Sequence, residues 1–179
     1  MSLANKILPH YTYNDYLHWE GGWELIEGHP IAKSPSPVPK HQKTSAGLTA
    51  VFGNALKAFD QPNVYSPIDY KIAEDTIVQP DVLIVSGEIK KPYLDFAPTL
   101  VVEILSPSTA ARDRITKFEL YQTQGILYYL IVDADAEKIE IYELTNDAYQ
   151  LRLNEAQPQF NFQLEKGCSI LPDFSDIWS

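Results

Sequence analysis

The sequence has few of the residues that cross-link a chain or anchor it in a membrane. It holds one cysteine, Cys168, in 179 residues, which excludes an internal disulfide and a cysteine-based zinc site. No stretch approaches the ~18 uncharged apolar residues of a membrane helix. The N-terminal segment through Gly22 has neither the basic start nor the apolar run of a secretory signal. We therefore expect a cytoplasmic protein without a membrane segment.

Basic residues are also scarce. The chain has 14 lysines and arginines against 24 aspartates and glutamates, which gives a formal net charge of −10. This sign opposes binding to a polyanion, so any contact with nucleic acid must be local. The negative net charge argues only in part against a nuclease, because a metal-dependent hydrolase concentrates carboxylates in its site and a divalent cation cancels two of those charges.

The length and the 45% hydrophobic content predict one folded domain over residues 1–179. A short helix is expected over Tyr13–Trp19, capped by Thr12 or Asn14. The segment WELIEGHPIAKSPSP then predicts a β-hairpin with a turn at Glu27-Gly28-His29. Its second strand is expected to be stopped by Pro35, Pro37 and Pro39.

The rest of the pattern alternates helices with apolar strands. Apolar residues at helical spacing predict a long helix between Lys40 and Phe59 and a second over about Arg112–Gln124, with Ser108, Thr109 or Asp113 as its cap and Gly125 at its end. Three strands are predicted in NVYSPIDYKI, TIVQPDVLIVS and TLVVEILS. Two hairpins follow, ILYYLIVDADAEKIEIYEL with a turn at Asp133–Glu137, and AYQLRL to FNFQLEKG. This order predicts an α/β fold with a mixed sheet flanked by helices, plus an added N-terminal helix and hairpin.

Two acidic residues interrupt the apolar strands. Glu103 lies in the middle of LVVEIL and Asp81 lies in VQPDVLIV, where an ionised carboxylate is costly to bury unless a cation or several donors meet it. Taken alone, each acid has a structural explanation that is about as good as the functional one. Asp81 can be a turn residue after Pro80, and Glu103 can be one half of a structural ion pair. Together they favour function, because acids on adjacent strands repel each other unless a cation or proton intervenes. Oxygen ligands of this kind suit Mg²⁺ or Mn²⁺.

Lys117 follows Glu103 by one predicted helix, with Tyr121 on the same helical face at i+4. It could reach the two acids and stabilise negative charge on a phosphate or orient the attacking water. A helical lysine taken alone is usually a solvated surface charge.

The order of elements resembles the PD-(D/E)xK nuclease superfamily. Within it, WELIEGHPIAKSPSPVPKHQ, SPIDYKI, TIVQPDVLIV, LVVEILSPSTAARDRITKFELY and YYLIVDADAEKIEIY resemble the Uma-type family of restriction endonuclease-like proteins. The resemblance implies that Asp81 and Glu103 bind the metal and that Lys117 is the lysine of the motif. The chain departs from the general pattern, since Leu105 stands two residues after Glu103. A homodimer is a further expectation from the resemblance.

Other positions match the family less specifically. Glu24 precedes the first long helix and is expected to assist catalysis, although a surface strand acid is about as common. His41, Arg112 and Tyr121 are expected to contact the substrate, and Lys40, Lys43 and Arg114 are further candidates for phosphate contacts. Such a histidine often makes only a structural hydrogen bond, and such cations often form a solvated face. Asp69, between Ile68 and Tyr70, carries less weight.

Two functions are consistent with these features. The first is a Mg²⁺- or Mn²⁺-dependent endonuclease that hydrolyses DNA, with Asp81, Glu103, Lys117 and Glu24 at its site. The second is a catalytically inactive binding or regulatory module that retains the nuclease fold, favoured by the net charge and by Leu105. The distance from the Lys117 ammonium to the two acids discriminates between them.

Overall fold

The described part of the chain, residues 8–33 and 38–178 of a computed structural model, contains four α-helices and twelve strands. The helices are α1 (Tyr13–Tyr16), α2 (Pro39–Leu56), α3 (Ala110–Arg114) and α4 (Thr116–Thr123). The strands are β1 (Trp23–Ile26), β2 (His29–Ala32), β3 (Asn63–Tyr65), β4 (Tyr70–Ala73), β5 (Thr76–Val78), β6 (Val82–Val85), β7 (Leu100–Ile104), β8 (Tyr128–Asp133), β9 (Lys138–Thr145), β10 (Ala148–Glu155), β11 (Phe162–Gln163) and β12 (Ser169–Ile170). The predicted α/β class is confirmed. Pro35 and Pro37, expected to stop the second strand, lie outside the described residues.

A six-stranded mixed sheet forms the centre of the protein, in the order β10-β9-β8-β7-β6-β3. Only β7 and β8 are parallel, and the chain between them runs through α3 and α4, the crossover that a parallel pair requires. Phe52 of α2 packs in the core cluster that contains Val102, whereas Tyr121 of α4 packs in the cluster that contains Val101. Side chains alternate along a strand, so Glu103 shares the α4 face with Val101. The predicted helix-flanked sheet is confirmed.

A second sheet, here called the accessory sheet, joins the strands in the order β2-β1-β5-β4. Its β1–β2 pair is the predicted N-terminal hairpin, with Ile26 opposite His29. The two residues between them, Glu27 and Gly28, have φ angles of 49° and 75°. Such left-handed pairs make the tightest hairpin turns, which explains a glycine at the second position.

Single strands through NVYSPIDYKI and through TIVQPDVLIVS were predicted, and both predictions are wrong. The first divides into β3 and β4 and the second into β5 and β6, with one half of each in either sheet. Pro80 lies in the second break, where its lack of an N–H ends strand pairing. Residues 79–81 therefore carry the chain from the accessory sheet to the central sheet, and they bring Asp81 to the junction.

The predicted second long helix is also divided. It begins at Ala110 and breaks at Ile115, whose φ and ψ of −120° and −71° are not helical, before α4 continues to Thr123. Gly125 has a φ of 72°, which confirms the left-handed position expected after the helix. The first helix is shorter than predicted, since it ends at Tyr16.

Strand pairing near the C-terminus differs from the prediction in one respect. The β8–β9 hairpin forms around the expected turn at Asp133–Glu137. The second predicted hairpin is wrong, because β10 pairs with β9 and β11 pairs with β12. No helix within the described residues is long and apolar enough to cross a membrane.

Candidate active site

A cleft of about 1110 Å³ opens where the accessory sheet meets the central sheet. Its walls come from β1, the first turns of α2, the end of β7, the loop after β7 and both α3 and α4. The charged and histidine side chains that line it are Glu24, Lys33, Lys40, His41, Asp81, Glu103, Arg112, Asp113, Lys117 and Asp135. The cleft thus gathers residues that are far apart in the sequence.

Asp81 and Glu103 lie side by side at the base of the cleft. Strands β6 and β7 are antiparallel neighbours, and Asp81 directly precedes Val82, which pairs with Val102. The Asp81 Oδ2 atom accepts a hydrogen bond from the Ile104 amide at 2.8 Å. Glu103 is 4% exposed, so neither acid belongs to an ordinary solvated strand face.

Lys117 reaches these acids from α4. Its side chain is 3% exposed, and its Nζ atom lies 2.8 Å from Glu103 Oε1 and 2.8 Å from Glu24 Oε1. A surface lysine is excluded by this burial. The ammonium therefore lies beside Glu103, although Leu105 stands two residues after Glu103 in the sequence.

Glu24 is the contribution of the accessory sheet. Besides Lys117, its Oε1 atom accepts a hydrogen bond from the Gln79 amide at 2.9 Å, and its Oε2 atom lies 3.5 Å from a guanidinium nitrogen of Arg112. Burial opposes the ionisation of Glu24, but Lys117 and Lys33 hold its pKa below its ordinary value. Glu24 is thus a buried anion that ties the accessory sheet to α4.

The three residues expected to contact the substrate occupy different places. His41 lies in the first turn of α2, with its Nε2 atom 3.3 Å from Asp81 Oδ2, and this contact raises the pKa of His41. Arg112 lies at the cleft wall. Tyr121 is fully buried behind Glu103 and donates a hydrogen bond to its Oε1 atom at 2.6 Å, so its placement favours a supporting role over the expected substrate contact.

Asp113 was expected only as a possible helix cap, and the structure places it inside the cluster. It is 1% exposed, and neither carboxylate oxygen has a hydrogen-bond partner among the described residues. Its Oδ1 atom lies 3.7 Å from Lys117 Nζ, and burial raises its pKa. The i, i+4 spacing from Asp113 to Lys117 was the available signal.

The remaining candidates have mostly structural contacts. Arg114 makes two hydrogen bonds to Glu140 of β9, at 2.9 and 2.6 Å, and Lys40 pairs with the exposed Asp135. Asp69 accepts hydrogen bonds from the Tyr16 hydroxyl and from the Gln79 side chain. Lys33, which sequence reasoning missed, donates to the Gln79 carbonyl at 3.0 Å. Asp69 and Lys33 thus hold the Gln79 end of the junction before Asp81.

The cluster carries more buried negative than positive charge. Among the described residues it holds one buried ammonium, that of Lys117, and four buried carboxylates, those of Glu24, Asp81, Glu103 and Asp113. Burial and the neighbouring carboxylates raise the pKa of Glu103 to about 8, against the attraction of Lys117. An added cation would relieve this repulsion.

The donor atoms fit a hard divalent cation. All described hydrogen bonds and ion pairs of Asp81 and Glu103 go to one oxygen of each, Oδ2 and Oε1, which leaves the second oxygen of each available. No group of three or more metal-binding side chains is preformed within the described residues. Magnesium often takes only one or two carboxylates and completes its shell with water and substrate phosphates.

Comparison with known proteins places the chain among nuclease-related sequences. The family Uma2, described as "putative restriction endonuclease", matches residues 13–173. The chain is 31% identical over 154 residues to the uncharacterized protein slr1290 of Synechocystis sp. (strain ATCC 27184 / PCC 6803 / Kazusa), a match that covers 82% of this chain and 80% of that protein.

A solved structure shares the fold. It is described as a putative nuclease belonging to DUF820, from Anabaena variabilis ATCC 29413, and it superposes with a TM-score of 0.74 at 19% sequence identity. The match covers 93% of this chain and 97% of the other. At this identity the likeness establishes the common architecture.

Proposed function

Since this chain belongs to the Uma2 family, we propose that it is a Mg²⁺- or Mn²⁺-dependent endonuclease that hydrolyses phosphodiester bonds of DNA. Membership in the family supports a nuclease-like function. The observation that carries the proposal is the Lys117 ammonium, buried and 2.8 Å from Glu103 on the strand beside Asp81. This is the acid, acid and lysine combination of the PD-(D/E)xK motif, with the lysine supplied from the next helix.

Asp81 and Glu103 are the residues that would hold the metal, through the oxygens that make no described hydrogen bond. Bound there, the metal supplies a Lewis acid for the phosphate and lowers the pKa of the attacking water. Lys117 holds a positive charge beside Glu103 that stabilises the negative charge of the phosphate in the transition state. Glu24 and Tyr121 fix the positions of Lys117 and Glu103 through hydrogen bonds.

The remaining cleft cations are suited to orient the DNA backbone. Arg112 and His41 line the cleft on opposite sides of the acids, from α3 and α2, and Lys33 lies near the junction at Gln79. Phosphate contacts of this kind position a nucleic acid without reading its sequence. These cations would offset the net charge of −10 locally, because they line the same cleft as Asp81 and Glu103.

The test is cleavage of plasmid and single-stranded DNA by pure protein with Mg²⁺ or Mn²⁺. We expect cleavage that disappears with a chelator and in Asp81→Ala and Glu103→Gln. The matched control is Glu155→Gln, which neutralises an exposed acid of β10 and is expected to cleave like the wild type. No cleavage by the wild type with either metal on either substrate would contradict the proposal.

The inactive module is the alternative, and metal binding separates it from the enzyme. Glu103→Gln should lower the affinity for Mn²⁺ measured by calorimetry if Glu103 is a ligand. A wild-type protein that neither cleaves DNA nor binds Mn²⁺ favours a binding or regulatory role. The homodimer and the cytoplasmic location stay predictions.

A further inference from the structure

Asp113 is a buried acid whose carboxylate has few polar partners. Its carboxylate is 1% exposed and accepts no hydrogen bond from the described residues. Proteins rarely bury a carboxylate in this state, because desolvation strongly disfavours the charged form. A neutral side chain of the same size would avoid that cost, so the charge itself calls for an explanation.

The position of Asp113 is fixed from two sides. The Tyr129 hydroxyl donates a buried hydrogen bond to the Asp113 main-chain carbonyl at 2.9 Å. The next residue, Arg114, is held by both of its hydrogen bonds to Glu140. Helix α3 is thereby attached to β8 and β9, and the break at Ile115 sets α3 apart from α4. The main chain around Asp113 is thus fixed beside Lys117 by contacts that do not use the carboxylate oxygens.

Lys117 has three acidic neighbours that differ in kind. The Lys117 Nζ atom lies 2.8 Å from a carboxylate oxygen of Glu24 and 2.8 Å from one of Glu103. It lies 3.7 Å from Asp113 Oδ1, which is beyond hydrogen-bond distance but within electrostatic range. Under the proposed function Glu103 also binds the metal, which then compensates the Glu103 charge. Asp113 lines the cleft but is only 1% exposed, and its ion-pair partner among the described residues is Lys117.

We propose that Asp113 is a positioning residue that keeps the Lys117 ammonium in place beside Glu103 when metal and phosphate enter the site. The role rests on the proposed nuclease function. Asp113 touches neither the substrate nor the metal and acts through Lys117 alone. Its loss therefore affects the chemical step rather than binding.

The substitution Asp113→Asn tests this role, since it keeps the shape and removes the charge. We expect kcat to fall by about tenfold or more, while KM for DNA changes by less than about twofold. The affinity for Mn²⁺ should be unchanged. The control Asp60→Asn neutralises an exposed acid and should change none of these quantities. A wild-type kcat in Asp113→Asn, or a fall in both Tm and Mn²⁺ affinity, would overturn the proposal.

A double-mutant cycle on unfolding tests the contact without using cleavage. If Asp113 acts through Lys117, Asp113→Asn should stabilise Lys117→Met more than it stabilises the wild type, because Asp113 loses its compensating cation in that background. Equal effects in the two backgrounds would overturn the inference. If the wild type does not cleave DNA, the proposed function fails, and the cycle still decides whether Asp113 holds Lys117.

Discussion

Replacement of Lys117 by methionine should destabilise the protein strongly. Methionine keeps much of the length of the side chain but removes the one buried cation among Glu24, Glu103 and Asp113. Removing one partner of a buried ion pair costs about 3–5 kcal/mol, because it leaves an uncompensated charge. The loss is limited because Glu103, whose pKa is raised to about 8, is largely protonated near neutral pH and adds little uncompensated charge. At about 2–4 °C per kcal/mol for a domain of this size, Tm should fall by roughly 6–20 °C.

The assay is urea unfolding followed by circular dichroism near neutral pH, with thermal unfolding beside it. Lys40→Met is the matched control, because Lys40 pairs with Asp135 at 3.3 Å in an exposed position. Such a surface pair contributes about 0–1 kcal/mol. A Lys117→Met variant as stable as Lys40→Met would refute the reasoning, since it would mean that the buried acids need no cation.

Three further predictions follow from the same contacts. Because the pKa of Glu103 is raised to about 8, the native state keeps a proton that the unfolded state has lost above its ordinary pKa of about 4.3. The free energy of unfolding should therefore fall as pH rises between those values, and urea unfolding of Glu103→Gln should show a weaker dependence. Tyr121→Phe removes the 2.6 Å hydrogen bond to Glu103 and should lower the free energy of unfolding in urea by about 1.5–3 kcal/mol. The control Tyr11→Phe changes a partly exposed tyrosine and should lower it little. Phe52→Ala removes a ring that contacts Phe162 and Phe174 and should cost about 3–5 kcal/mol; a loss below 1 kcal/mol would contradict the packing described for α2.

The sequence indicated the parts of the fold that local patterns control. Helix α2 follows from its apolar spacing, and the burial of β7 follows from a nearly continuous apolar run. The divisions of the other segments depend on contacts between distant residues. Nothing in TIVQPDVLIVS states that its first half pairs with the N-terminal hairpin and its second half with β7, although Pro80 marks the point of the change.

The candidate site was predictable to a similar degree. Asp81 and Glu103 are conspicuous because acids are rare in apolar strands, and the resemblance to the PD-(D/E)xK superfamily indicated Lys117. Asp113 was hidden, because an aspartate at the start of a helix has an ordinary explanation as a cap. The break at Ile115 has no proline or glycine beside it, so only the packed structure separates α3 from α4 and buries the Asp113 carboxylate.

The junction at residues 79–81 makes the length of the chain between the two sheets a property of the site. The main-chain amide of Gln79 donates a hydrogen bond to Glu24. Two residues later in the chain, the Asp81 carboxylate contacts His41. An inserted or deleted residue here would shift the flanking strand by one position and so turn its side chains to the opposite face of the sheet, because side chains alternate with a period of two. Loop insertions are usually tolerated at a protein surface, but this short connection should accept substitutions more readily than a change in length.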